Sequence, residues 1–275
     1  MSVRHARMGL EALVASKVTR LPVISGYAQA RGWSFILSWC HRIAGILMVV
    51  FVWFHIYTLS SLLNPGDYDA KMKIFGFFVF AFLEWALAIP VAFHAFNGGR
   101  LILFECFGAR NDEAMIRWTG GLTLLYGLLL GLLMIMGDQN VSAIFFWLIM
   151  LAAGLTLVYG IGSKTWKGRH AVTWKLQRLT GGLLLALVPA HLLFMHLNVA
   201  MGHEAGVVVA RMQNGFIKVV DLFILLSVLY HGGYGLVSVL GDYLASRLLR
   251  VAATGLILLI MVLFAWMGMR VLFLV

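Results

Sequence analysis

The chain has 275 residues, of which 62% are hydrophobic and only 12% charged, with a formal net charge of +10 and a mean hydropathy of +0.93. Soluble domains run at roughly 45–50% apolar and 25% charged, so a water-soluble globular protein is excluded. The positive charge is not a nucleic-acid footprint either, because most of it is concentrated in alternate loops between long apolar runs.

A membrane-crossing helix needs about 20 apolar residues, and seven runs qualify: 34–63, 74–99, 118–137, 141–162, 179–200, 216–240 and 248–273. Residues 1–32 have no uninterrupted apolar segment, which argues against a cleaved signal peptide, and they are expected to form a cytoplasmic amphipathic arm. The first helix is predicted to begin after Gly32-Trp33 and to stop before Asn64-Pro65-Gly66-Asp67, a cluster of breakers. The second ends at His94-Ala-Phe-Asn-Gly-Gly-Arg100 and the third at Gly137-Asp138. The fourth, from Val141 to Gly162, has no His, Asp, Glu, Lys or Arg. Helices five to seven follow, and Cys40 and Cys106 are expected as reduced thiols near the basic side.

Assigning loops to alternate sides puts sixteen Lys/Arg on one side, six up to Arg42, three in 100–117, five in 163–178 and two in 241–250. The other side has five: Lys71, Lys73, Arg211, Lys218 and Arg270. The positive-inside rule then places the N-terminus in the cytoplasm and the C-terminus outside, as an odd number of spans requires. The basic, acid-free loop 163–178 serves either this topology or the docking of a soluble subunit.

One stretch occurs twice. Arg42 and Gly45 precede His55, and Arg178 and Gly181 precede His191, both at an arginine-to-histidine interval of 13 residues. A second histidine follows each, His94 after 39 residues and His231 after 40, each with a glycine four residues later, Gly98 and Gly235. The expected fold class is therefore an all-α membrane protein of seven transmembrane helices, in which two parallel three-helix repeats are joined by a linking helix. The expected units are the arm 1–32, a first anchor unit 33–137, the linking helix 138–163 and a second anchor unit 164–275.

At about 1.5 Å per residue, His55 and His191 lie roughly 20 Å from the arginines that mark the basic side, and His94 about 9 Å from Arg100. Four histidines at two levels, each level drawn from both halves, suit two haems, each held by two imidazoles. The bland alternative is interhelical hydrogen bonding or a water-filled cavity. Zinc is poorly served, because neither cysteine supplies a close-spaced ligand set. Glu84 and Asp221 each lie ten residues before His94 and His231, near the outer level, where intramembrane carboxylates mark proton or substrate paths. They offer a proton path or a second quinone site. His5, His170 and His203 fall in the arm or in predicted loops and are expected to be solvated, and His196 is a candidate contact to a distal propionate.

The segments Ser38-Trp-Cys-His-Arg-Ile-Ala-Gly45, Phe93 to Arg100 and His231 to Tyr243 resemble the cytochrome b membrane anchors of the succinate:quinone oxidoreductase and fumarate reductase family. The first two are similar to the larger anchor of the one-haem type. Asp242-Tyr243, eleven residues after His231, is similar to the smaller one. The four-histidine set is similar to the single-chain two-haem type, so the chain reads as a fusion of both anchors that keeps two haem b groups. That resemblance implies His94 and His231 as proximal iron ligands and His55 and His191 as distal ones. His41, Arg42, Gly45, Arg178 and Gly181 would lie around the cofactors. Quinone, menaquinone or ubiquinone, would be bound at Ser38, Arg42, Asp242 and Tyr243.

The implied function is electron transfer between a cytoplasmic iron–sulfur subunit and membrane quinone, in the cytoplasmic membrane of a bacterium or archaeon. A flavoprotein subunit of the same complex would perform the dicarboxylate chemistry, since this chain has no Rossmann fingerprint and no clustered cysteines. Lipid is a further partner, nucleic acid is not, and a higher oligomer is open. The competing readings are a dihaem anchor of another quinone-reactive oxidoreductase and a haem-free transporter.

Overall fold

A computed structural model describes residues 22–198 and 200–275, and two compact units are distinguished, 1–43 and 44–275. In the first unit the described residues are all helical. The remaining elements belong to the second.

Helix α1 is Pro22–Leu59, so helical structure begins at least ten residues before the predicted start after Gly32-Trp33. A 3-10 turn, Ser60–Leu63, and a short helix α2, Pro65–Phe75, follow. The breaker cluster therefore ends one helix and starts another. Pro65 stands where a missing N–H costs nothing, Asp67 lies in the first turn and Lys73 in the last, which suits the helix dipole. Next come α3, Phe78–Phe107, α4, Asp112–Met136, and α5, Ala143–Thr165. They are followed by α6, Val172–Met195, one turn at Ala200–His203, α7, Ala205–Met212, α8, Gly215–Tyr243, and α9, Arg247–Leu274. Local chemistry sets many of the ends. Gly108 and Gly137, at φ 71° and 64°, close α3 and α4 in the left-handed conformation. The side chains of Asn111, Ser142, Asn214 and Ser246 accept hydrogen bonds from first-turn amides of α4, α5, α8 and α9.

Seven of the described helical segments are long and apolar enough to cross a membrane, and the chain is an all-helical, multi-pass membrane protein. Among the described residues the β pairing is one isolated bridge, Asp138 with Asn198. It ties the α4–α5 connection to the end of α6, reinforced by the Gln139 amide donating to the Leu197 carbonyl at 2.7 Å.

Helix α6 is the organising rod, packed against α3, α5 and α8. Its contact with α5 is close because Gly154 and Gly182 leave room. A Cβ on Gly182 would stand 2.3 Å from Ile161 Cδ1, and one on Gly154 2.8 Å from Leu183 Cδ1, the small-residue packing that lets membrane helices approach. Trp147, Leu183, Leu187, Phe194 and Val220 form the core shared by α5, α6 and α8. A second core joins α3 to α4 through Ala88, Ala92, Tyr126 and Leu130.

Two expected boundaries are corrected. Helix α3 does not stop at Arg100, and α6 begins seven residues before the predicted 179. Arg100 and Arg178 are therefore not helix ends. Arg100 is buried, with Nε donating to Asn97 Oδ1 at 2.9 Å and a guanidinium N–H ion-paired with Asp112. Arg178 is paired with Glu105 at 2.6 Å. A neutralised arginine no longer needs water, and the helix runs on past it.

Candidate functional site

The four sequence-matched histidines meet in pairs. His94 of α3 faces His231 of α8 with ring centroids 6.2 Å apart and planes at 85°. His55 of α1 faces His191 of α6 at 6.1 Å and 83°. Small residues create the space. A Cβ on Gly45 would stand 3.0 Å from His94 Cε1, and one on Gly181 3.1 Å from His231 Cε1. Because Gly45 and Gly181 each precede the second-pair histidine on their own helix by ten residues, the two pairs differ in level by about 15 Å. His94 lies 13 residues before the end of α3, because the helix continues beyond Arg100.

Each pair fits one metal ion. Two imidazole nitrogens about 2 Å from a shared metal put ring centroids about 6 Å apart, the separation observed twice. No group of three or more His, Cys, Asp or Glu among the described residues could hold a metal ion. Each pair therefore suits a metal that brings its own equatorial ligands, as a haem does. Second contacts orient the rings. His231 Nδ1 lies 3.2 Å from the Gln177 carbonyl oxygen, while Gln177 Nε2 donates back to the His231 carbonyl at 3.2 Å. With Nδ1–H committed to that carbonyl, Nε2 is the nitrogen left for a metal. At the other pair, Phe51 stacks on His55 at 5.7 Å, Trp147 stands 6.3 Å from His191, and the buried His191 Nδ1 has no hydrogen-bond partner among the described residues.

A cavity of about 660 Å³ lies at the end of the bundle carrying α2 and α7, lined by Glu84, His196, His203, Lys73, Met134 and Met195 among others. His196 Nε2 is 3.4 Å from Glu84 Oε1, and its Nδ1 is 2.6 Å from the Leu192 carbonyl. Burial alone would lower the His196 pKa, but the hydrogen bond and charge of Glu84, aided by the Leu192 carbonyl, raise it above the ordinary value. Nearby, the Tyr68 hydroxyl donates to the Gly202 carbonyl at 2.5 Å, and burial, against the pull of Arg211, pushes its pKa up to about 12.

Glu84 and Asp221 part company here. Glu84 lines the cavity, whereas Asp221 is not among its lining residues and acts on Arg211. His203 also departs from its expected place in a solvated loop, since it ends a helical turn and lines the cavity. His196 faces Glu84. His170 is exposed as expected, stacked on Trp174 at 4.1 Å. His5 lies outside the described residues. Of the quinone candidates, Asp242 and Tyr243 are exposed in the last turn of α8. Ser38 is exposed, and His41 and Arg42 are half-buried, in the unit 1–43. Sequence reasoning missed Trp147, Tyr68, Gln177 and the structural part of Lys175. Of these only Gln177, adjoining Arg178 in the repeated stretch, carried a usable signal.

Residues 28–134 match the profile of the succinate dehydrogenase/fumarate reductase transmembrane subunit. The chain is also 31% identical over 96 residues, 34% of its own length and 68% of the relative's, to the succinate dehydrogenase 2 membrane subunit SdhC of Mycobacterium tuberculosis. The chain belongs to this family of membrane anchors. No solved structure matches it significantly. Family membership makes this anchor a component of an oxidoreductase complex, not itself catalytic, and sets aside the transporter and the anchors of unrelated oxidoreductases. The profile match ends in the last turn of α4, so α5 to α9 lie beyond it.

Proposed function

We propose that this anchor is a dihaem cytochrome b that passes electrons between a cytoplasmic iron–sulfur subunit and membrane quinone, with a flavoprotein subunit completing the complex. The observation that carries the reading is the twofold occurrence of facing imidazoles at 6.1 and 6.2 Å, at levels about 15 Å apart. Haem iron supplies one-electron transfer when bound. His94 and His231 hold one group, His55 and His191 the other. Gln177 fixes the tautomer of His231, and Gly45 and Gly181 keep the first pair's rings uncrowded.

The reading extends to architecture. Gly45 against His94 and Gly181 against His231 are equivalent contacts, which supports two three-helix units, 33–137 and 164–275, joined by α5 and fused into one polypeptide. The excess of Lys/Arg on one side supports a cytoplasmic N-terminus and an external C-terminus in a bacterial or archaeal membrane.

Menaquinone or ubiquinone reduction needs hydrogen-bond donors at both carbonyl oxygens and a proton source. By family resemblance Ser38, Arg42, Asp242 and Tyr243 supply these on the cytoplasmic side, with His41 and Arg178 beside the cofactor. A second reading is supported by the cavity at the opposite end, where Glu84 and His196 form an acid–base pair next to the His55–His191 level. There Glu84 and His196 would move protons to or from a quinone ring, with Asp221 and Arg211 as charges farther out.

The test is a reduced-minus-oxidised spectrum with a haem-to-protein ratio on the purified chain. Two b-type haems per chain are expected. A ratio of one, or no α-band, would overturn the dihaem reading.

A further inference from the structure

Resting on the electron-conduit reading above, we propose that the turn Trp166–Ala171 between α5 and α6 is a preformed docking surface for an acidic face of the soluble iron–sulfur subunit. From Gln139 to His203 the chain contains no Asp or Glu. Lys164, Lys167, Arg169 and His170 are exposed together with Trp166, which is 59% exposed. The other two connections at this end of the second unit mix their charges. The α3–α4 connection carries Asp112 and Glu113 beside Arg110 and Arg117, and the α8–α9 connection carries Asp242 beside Arg247 and Arg250.

Topology alone requires positive charge but not a fixed shape, and this turn is fixed. Lys175 is 8% exposed, its Nζ donates to the carbonyls of Trp166 and Gly168 at 2.7 and 2.9 Å, and it lies 5.7 Å from the centroid of the Trp166 ring. Burying an ammonium group is costly, so the charge spent on holding these carbonyls signals that the conformation matters. Preorganisation of this kind lowers the ordering cost of association, and a Trp among cations is the composition of an interface anchor.

The turn also stands in the right place. His170 stacks on Trp174 at 4.1 Å, and the Arg178 guanidinium lies over Trp174 at 4.2 Å. Thr173 and Gln177 accept hydrogen bonds from Tyr230 and His231. Six residues of chain, five of them helical, separate exposed His170 from Gln177, a step of seven positions or about 10 Å of rise. A subunit seated on the turn would bring its redox centre directly above the His94–His231 pair.

The test uses the whole complex purified from membranes. The double charge reversal Lys167→Glu with Arg169→Glu is expected to cut the iron–sulfur subunit recovered per anchor chain about tenfold, with the haem-to-protein ratio and dithionite reduction unchanged. Lys167→Gln with Arg169→Gln should give a smaller loss relative to wild type that shrinks as salt is raised, and it is read in place of the reversal should that variant lose haem. Lys175→Met should also weaken recovery, although it leaves every exposed cation in place. Wild-type recovery of the iron–sulfur subunit in the reversed variant overturns the proposal. If recovery is normal while retained phospholipid phosphorus per chain falls, the turn binds anionic lipid instead, and the proposal is equally overturned. The haem ratio of the wild-type chain judges the conduit reading separately.

Discussion

The two histidine pairs have the same internal geometry and different surroundings. At the His94–His231 pair each ring has a glycine against it, and His231 is held by reciprocal hydrogen bonds with Gln177. At the His55–His191 pair the walls are aromatic, Phe51 and Trp147, and an acid–base pair stands beside a cavity. A backbone carbonyl that accepts an imidazole N–H makes the ring more electron-rich, whereas aromatic packing fixes orientation without adding basicity. On the proposed dihaem reading, one pair would give defined ligation and the other ligation next to proton chemistry. Similar distances do not imply similar electrochemistry.

The strongest way to break this comparison is to remove one pair at a time. His94→Ala or His231→Ala is expected to halve the haem content and leave the other spectral component, and His55→Ala or His191→Ala to do the converse. A single substitution that removes both haems would show that the pairs are not independent. The second test concerns protons. Tyr243→Phe is expected to slow quinone reduction about tenfold with both haems retained, and Glu84→Gln to leave it unchanged if the quinone works on the cytoplasmic side only. A loss of a hundredfold or more in Glu84→Gln, the scale of a lost general acid–base, moves the working site to the cavity.

A third substitution addresses the glycines. Gly181→Val should lower occupancy of the His94–His231 pair alone, since even a Cβ there would stand 3.1 Å from the His231 ring. A reduced haem ratio with the other component intact is the expected readout. Smaller still is the pH dependence of the His196–Glu84 pair. The folded-state pKa of His196 is raised, so its stabilisation is complete below the unfolded value of about 6.5 and is lost as pH rises through the raised one. Thermal melts in detergent should show this slope in the wild type and not in Glu84→Gln. The smallest effect is expected from Tyr126→Phe, which deletes the 2.7 Å hydrogen bond to the Pro189 carbonyl, two residues before His191. About 0.6 kcal/mol is typical for such a bond in a membrane protein, measurable by unfolding in denaturing detergent.

The parts of this molecule legible in sequence are those governed by spacing. Seven apolar runs, the 13-residue arginine-to-histidine interval and the glycines beside the rings are all periodic signals, and the helices and facing imidazoles follow them. Helix ends were misplaced at Arg100 and Arg178 because a lone arginine in a sequence reads as an interface marker. Asp112 and Glu105, which neutralise them, come from other helices. The cavity was hidden for a related reason. It depends on α2, α7 and the turn at Ala200–His203 folding back over the bundle, and these short elements carry no long hydrophobic period. His196 and His203 read as loop or accessory residues until those elements fell into place. Lys175 counted as one more topological charge, since nothing local announces that its ammonium group turns inward to two carbonyls.

The connection between α4 and α5 is held at both ends of a noncovalent clasp, the Asp138–Asn198 bridge and the Gln139 amide on Leu197. A break in the peptide chain between Gly137 and Val141 would leave that clasp and the α5–α6 contact intact. Two separately translated fragments are then expected to reassemble into a working anchor, which coexpression of residues 1–139 with 140–275 and the haem-to-protein ratio would check.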